Sequence, residues 1–188
     1  MAVTANLTAG QVLNASTVNT YMINSGLVYV KSQTVGTAVS SVTVTSAFSA
    51  DYDNYRVTWT GGTLSALGLL GVYMGTAALA NSYYGSRTST TVGAAFSGAG
   101  DNNTGLWNYI NAGNASFTQT AFDLYNPFTA KPTHIDSMYQ EPNAGSSVFG
   151  RFVGLLDTTT SYTSLTFDPQ GAITMTGGTI TVYGYRKA

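Results

Sequence analysis

The C-terminal segment of the chain places the strongest constraint on its fold. Gly177 and Gly178 form a turn signal that leads directly into residues 179–185, where apolar and more polar side chains alternate. Ile180 and Val182 therefore point to one face of an extended strand, and their neighbours point to the other, because side chains alternate along a strand. The segment predicts a strand that completes a small β-sandwich, rather than one that carries catalytic groups.

The same strand pattern recurs along most of the chain. In residues 55–60, Tyr55, Val57 and Trp59 are predicted to point inward. Residues 67–74 form a nearly continuous apolar run, which is typical of a strand covered on both faces. With the turn residues between segments, the pattern predicts eight to ten short strands in an antiparallel β-sandwich that is jelly-roll-like. The predicted strands are residues 28–30, 42–45, 55–60, 67–74, 121–125, 135–140, 148–155, 164–168, 172–176 and 179–185.

Residues 93–113 are rich in glycine and asparagine and predict a long surface loop. Trp107 and Tyr109 lie in this segment, and Tyr83 and Tyr84 precede it. Aromatic residues in such loops bind sugars or anchor protein interfaces, and the sequence leaves both open. We therefore expect Trp107 and Tyr109 to make loop contacts.

The N-terminal residues 1–30 differ in pattern from the rest of the chain. Asn14 is a suitable N-cap for a short helix over residues 15–24. A helix this short is unstable alone and must pack against something. We expect residues 1–30 to form a docking segment and residues 31–188 to form the β-sandwich domain. Three apolar residues at helical spacing are the candidate docking residues: Val18, Tyr21 and Met22.

The composition favours a single globular domain that buries surface in an assembly. Of the 188 residues, 8% are charged, against about 25% in typical soluble proteins. Aromatic residues make up 12%, which distinguishes the chain from a disordered one. So few charges protect little against self-association.

Nucleic acid and membrane are not predicted partners. The net charge is −1, and the seven lysine and arginine residues are scattered, whereas nucleic-acid-binding proteins cluster them. The longest apolar segment, residues 64–74, is interrupted by glycine and is far shorter than the roughly 20 residues that a spanning helix needs.

Patterns for catalysis and metal binding are weak. The chain has no cysteine, and its single histidine, His134, is interpreted as a strand residue that makes one hydrogen bond. Residues 51–54 lack the glycine and closing glutamate of a calcium loop and are interpreted as a turn. No nucleophile-elbow, P-loop or dinucleotide-binding motif is found. The sequence therefore predicts no enzyme activity, no cofactor and no metal.

Three segments resemble structural proteins in the virions of tailed bacteriophages. Residues 7–21 are similar to openings of the form TAGxVLTAxxxNxY, and residues 48–57 are similar to the first strand of a small jelly-roll module. The C-terminal segment resembles the ending GxxIx(V/L)YG of such proteins, with the resemblance carried by residues 178–185 and the first glycine of the pattern at Gly177. The resemblance implies a structural protein, often a homotrimer, that is made in the bacterial host cytoplasm and displayed on a capsid or tail. It implies no catalytic residues.

Two functions fit this resemblance. The first is a capsid decoration (cement) protein, which docks on the major capsid protein and trimerises. The alternative is a tail-associated minor tail protein or receptor-binding protein, whose partners are tail proteins and host surface glycans. A polysaccharide-degrading enzyme is a third reading, which a depolymerase assay would identify.

Overall fold

The computed structural model describes residues 26–143 and 146–187. These residues form thirteen β-strands. The described part contains no helix of the length and hydrophobicity needed to cross a membrane. In chain order the strands are β1 Leu27–Thr34, β2 Val42–Val44, β3 Asn54–Leu64, β4 Gly68–Met74, β5 Tyr83–Thr91, β6 Phe96–Thr104, β7 Trp107–Gly113, β8 Thr118–Tyr125, β9 Thr133–Glu141, β10 Val148–Leu156, β11 Leu165–Pro169, β12 Met175–Thr176 and β13 Thr179–Tyr185.

The strands form two antiparallel sheets. The large sheet has the order β1-β13-β3-β8-β9-β10-β5-β6, with the short β12 paired to β3. The small sheet has the order β2-β11-β4-β7. The chain is therefore all-β with antiparallel sheets, as predicted, and the packing of one sheet on the other is consistent with a β-sandwich.

Aromatic side chains fill the core between the two sheets. The ring of Phe167 on β11 lies 6.3 Å from that of Trp59 on β3 and 5.8 Å from that of Phe122 on β8, measured between centroids. Toward the other side of the core, Trp107 on β7 meets Tyr83 on β5 edge to face at 5.0 Å. Burial of each such ring stabilises the fold by about 1.5–3 kcal/mol, so these contacts hold the sheets together.

The predicted alternation is confirmed in β3 and β13, which are neighbours in the large sheet. Tyr55, Val57 and Trp59 are buried in β3, and Ile180 and Val182 are buried in β13. The last five residues of β4 are all buried, as expected for a strand covered on both faces. The period of the apolar pattern therefore fixes which face of these strands meets the core.

The prediction of a long loop at residues 93–113 was wrong. This segment contains β6 and β7. Because β5 was not predicted either, the structure has more strands than the predicted eight to ten. Glycine and asparagine are depleted in strands on average, so the composition of β6 did not indicate a strand. Here glycine is required by close pairing, because a Cβ on Gly100 would lie 2.6 Å from the carbonyl oxygen of Gly85 on β5. Of the strand predicted at residues 172–176, only β12 is formed.

The predicted N-terminal helix at residues 15–24 lies outside the described residues, with Val18, Tyr21 and Met22. Those predictions stay untested. The strand predicted at residues 28–30 is confirmed as part of β1, in which residues 27–29 pair with the end of β13. The predicted boundary at residue 30 therefore falls within β1.

Candidate binding groove on the large sheet

The large sheet has a gap between two of its central strands. The paired part of β8 and β9 runs from Phe122 opposite Ser137 to Tyr125 opposite His134. Beyond this point the side chain of Asn111, which belongs to β7 of the small sheet, inserts between the two strands. The sheet is therefore open where β8 and β9 separate.

Asn111 replaces the missing backbone pairing with its own amide. Its Nδ2 donates a hydrogen bond to the carbonyl oxygen of Gln119 on β8. Its Oδ1 accepts one from the backbone N–H of Gln140 on β9, at 2.8 Å. Nearby, Ser137 Oγ donates to the carbonyl oxygen of Ile110 at 2.7 Å, which ties β9 to β7. Asn111 is buried, so a side chain from one sheet defines the gap in the other.

A groove with a volume of about 330 Å³ lies over this gap on the outer face of the large sheet. Its outer rim consists of side chains that alternate outward from four strands. Apolar Met138 and Phe149 are 74% and 46% exposed. Thr58, Thr60, Gln119 and Gln140 supply hydroxyl and amide groups. We call this surface the β8–β9 groove.

The β8–β9 groove has no charged lining residue among the described residues. Two ion pairs lie beside the groove on the outer face. Arg56 Nη1 lies 3.5 Å from Asp123 Oδ2. Arg151 Nε donates to Asp136 Oδ1 at 2.7 Å, and the guanidinium makes a second contact with the same carboxylate. This hydrogen bonding lowers the pKa of Asp136 below its ordinary value. The groove is therefore polar but electrically neutral.

The cation beneath the groove lies against two aromatic rings, and its buried Nε has no hydrogen-bond partner among the described residues. Arg87 of β5 lies over the rings of Tyr139 and Tyr109, at 4.4 and 5.0 Å from the centroids. Tyr139 lines the inner part of the groove, and its hydroxyl donates to Glu141 at 2.8 Å. Burial raises the pKa of Tyr139, so its phenol stays protonated at neutral pH.

The predicted loop contacts are corrected by this geometry. Trp107 begins β7 and is fully buried, with its Nε1 donating to the carbonyl oxygen of Tyr84 at 3.2 Å. It is a core residue because it packs under β5 and cannot reach a partner. Tyr109 is half-buried against Arg87 rather than presented by a loop. His134 lies in β9, as predicted, but its side chain is exposed and makes no hydrogen bond within the described residues, so the predicted hydrogen bond was wrong.

The groove residues were not singled out from the sequence, although one signal pointed to them. Met138 and Phe149 lie at outward positions of strands that were predicted correctly. An apolar side chain at an outward position of an alternating strand marks surface that is available for contact. The gap itself depends on Asn111, which no local pattern relates to β8 or β9.

A second exposed apolar feature lies at the edge of the large sheet. The turn that joins β5 to β6 exposes Val92 and Phe96, which are 71% and 78% accessible. The only charged residue of β6, Asp101, is buried, and its carboxylate accepts hydrogen bonds from the backbone N–H and Nδ2 of Asn108. Burial raises the pKa of Asp101. The exposed surface of this edge strand therefore carries no charge.

Within residues 26–143 and 146–187, no three His, Cys, Asp or Glu side chains lie close enough together to hold a metal ion. No protein-family model, curated protein or solved structure matches this chain.

Proposed function

We propose that this protein is a non-enzymatic structural component of a tailed-bacteriophage virion, and specifically a capsid decoration protein with a jelly-roll-like sandwich. The observation that carries the proposal is the arrangement of two of the three resembling segments. Residues 48–57 lead into β3, and residues 178–185 comprise β13. β3 and β13 are adjacent and pair from Tyr55 with Gly184 to Thr60 with Thr179. Segments far apart in sequence thus form one unit of adjacent strands, next to the edge strand β1 of the large sheet.

The proposed homotrimer is supported by the uncharged edge of the large sheet. β6 is the last strand of that sheet, and edge strands usually carry charge, proline or bulges that prevent association. Here the exposed side chains of Val92 and Phe96 precede a stretch of glycine, serine and alanine that has no charge or proline. The register shift between β5 and β6 lies beyond this stretch, between Asp101 and Thr104. In a cyclic trimer this edge would contact a different surface of the next copy.

The proposed docking element is the segment before β1, with Val18, Tyr21 and Met22 in contact with the major capsid protein. It joins the sandwich at Leu27, at the opposite edge of the large sheet from β6. Docking and trimer formation would therefore use different edges.

Cryo-electron microscopy of virions of the phage that encodes this chain tests the proposal directly. A decoration protein is expected as regularly spaced density on the outer capsid, with three sandwiches around each position. Density restricted to the tail would instead support the alternative, a minor tail or receptor-binding protein. Absence from purified particles by mass spectrometry would overturn both.

The alternative of a tail-associated protein is favoured by one observation, the β8–β9 groove. Its neutral polar lining suits a host surface glycan better than it suits a flat protein interface.

A further inference from the structure

We propose that the β8–β9 groove is a binding site for a neutral saccharide. For its biological role this inference rests on the alternative function above. The chemistry depends only on the groove itself. Its volume of about 330 Å³ lies in the range of about 300–1,000 Å³ that is usual for small-molecule sites.

The polar side chains at the rim have hydrogen-bonding groups that are available to a ligand. Within the described residues, none of the hydroxyl or side-chain amide groups of the four polar rim residues makes a hydrogen bond inside the protein: Thr58, Thr60, Gln119 and Gln140. Hydroxyl groups donate and accept, and each amide offers both a carbonyl oxygen and an NH₂. Sugar hydroxyls also donate and accept, so they match this set without requiring charge.

The apolar side of the groove suits the carbon-bound hydrogens of a sugar ring. Phe149 on β10 pairs with Gln140 on β9, and Met138 is two residues further along β9. Phe149 and Met138 are therefore diagonal neighbours on the same face. The negative face of an aromatic ring attracts the weakly positive C–H groups of a pyranose. The groove thus offers a stacking surface beside hydrogen-bonding groups.

Other ligand classes fit less well. The cations beside the groove on the outer face, Arg151 and Arg56, are each in an ion pair with an aspartate. The groove therefore offers no unpaired surface cation to a phosphate, a uronic acid or a sialic acid. An extended peptide that added a strand would need unpaired backbone groups in the gap. Two of those groups, the carbonyl of Gln119 and the N–H of Gln140, already bind Asn111.

Titration of the ¹⁵N-labelled full-length protein with defined oligosaccharides tests the proposal. The neutral probes are maltohexaose, cellohexaose, mannohexaose and a galactan hexamer. The acidic probes are trigalacturonic acid and sialyllactose. We expect at least one neutral probe to shift the amide resonances of Gln119, Met138 and Gln140, with a dissociation constant on the order of 1 mM that does not change with salt.

Two groove variants and one control make the test specific. Phe149→Ala should weaken binding by about tenfold, a loss of about 1.4 kcal/mol. Gln119→Ala should also weaken it, and since its side chain is exposed this variant is expected to fold even if Phe149→Ala does not. Tyr29→Ala removes an exposed aromatic side chain five strands away from β10 and should leave the affinity within about twofold.

Any of three results would overturn the proposal. The first is that no neutral probe shifts the amide resonances of the groove. The second is that the acidic probes bind as tightly as the neutral ones, and the third is that both groove variants bind sugar as tightly as the parent protein. Shifts with an extended threonine-rich peptide, but with no sugar, would assign the groove to a protein partner instead. If no saccharide binds but the protein still attaches normally to the capsid, the proposed decoration function is unaffected.

Discussion

Buried hydroxyl groups differ in how well they are satisfied. Thr166 Oγ1 donates to the carbonyl oxygen of Gly75 at 2.8 Å and lies 2.8 Å from the hydroxyl of Thr43. Thr133 is equally buried, but within the described residues its hydroxyl has no partner. A buried hydroxyl without a partner costs stability, whereas a bonded one contributes. The two threonines therefore form a matched pair for mutation.

Replacing each with valine, which has nearly the same shape, should have opposite effects. We expect Thr133→Val to be neutral or to stabilise by up to about 1 kcal/mol, and Thr166→Val to destabilise by about 1–3 kcal/mol. Urea unfolding midpoints of the two variants and the parent protein measure the difference. Equal losses in both variants would contradict the assigned hydrogen bonding.

The pKa values of two carboxylates should be shifted in opposite directions from their ordinary value. Burial raises the pKa of Asp101 above its ordinary value of 3.8, although hydrogen bonds from Asn108 act against this. Hydrogen bonding and attraction by Arg151 lower the pKa of Asp136 below 3.8, although burial acts against this. Carboxyl ¹³C resonances followed with pH should place the Asp101 midpoint above that of Asp136. A lower midpoint for Asp101 than for Asp136 would contradict the surroundings described for these two carboxylates.

The same shifts give the free energy of unfolding a defined pH dependence. Between pH 3.8 and the raised pKa of Asp101, the folded state binds the proton more tightly than the unfolded chain. The contribution of Asp101 to stability therefore increases as the pH falls through this interval. Asp136 contributes stability at pH values above 3.8, and this contribution is lost as the pH falls through its lowered pKa. Asp136→Asn should therefore be destabilised relative to the parent protein mainly above pH 3.8.

At the scale of single elements, the separation of β8 from β9 depends on one side chain. Removing the amide in Asn111→Ala leaves the Gln119 carbonyl and the Gln140 N–H without their partner. We expect a loss of about 2–3 kcal/mol, because buried polar groups without partners each cost about 1–3 kcal/mol. Hydrogen exchange at the Gln140 amide should accelerate more than exchange in β3. Asn102→Ala, an exposed position on β6, is the control and should stay within about 0.5 kcal/mol.

The edge strand β6 should control self-association. Phe96→Lys adds a charge to the apolar end of this edge, as many natural edge strands do to prevent pairing. If the parent protein is the proposed trimer, light scattering should show a smaller species for this variant while its circular dichroism spectrum is unchanged. Leu67→Lys, at an exposed position outside the large sheet, should leave the trimer intact. A trimer that survives Phe96→Lys would exclude β6 as its interface.

Strands with a clear apolar pattern were predictable, and strands at the exposed edge of the sheet were not. β3 and β13 follow from alternation, because one face is buried, and β4 follows from a continuous apolar run, because both faces are buried. β6 lacks the period because both of its faces are largely exposed at the sheet edge. Trp107 looked like a loop contact because neither β5, which covers it, nor β6, which precedes it, was recognised. The groove was unpredictable since it requires Asn111 to cross from one sheet to the other.

At the scale of the whole molecule, the large sheet separates the proposed functions in space. β1 and β6 are its opposite edges, and the β8–β9 groove lies between them on the outer face. A segment that docks through residues before β1 would leave β6 free for other copies. It would also leave the groove open to solvent. Attachment, trimer formation and saccharide binding can therefore be removed one at a time.

Deleting residues 1–25 tests the attachment function alone. The sandwich should remain folded, because β1 begins at Leu27 and the carbonyl oxygen of Gly26 still accepts a hydrogen bond from the backbone N–H of Arg186. We expect a soluble trimer with an unchanged unfolding midpoint that no longer binds virions prepared without this protein. Occupancy on those particles, measured by cryo-electron microscopy against the full-length chain, gives the answer. Apolar docking residues each contribute about 1.5–3 kcal/mol when fully buried, and three copies in a trimer bind together, so the loss of occupancy should be nearly complete. Normal occupancy of the truncated protein would show that attachment uses the sandwich itself, and an unfolded truncation would show that residues 1–25 belong to its core.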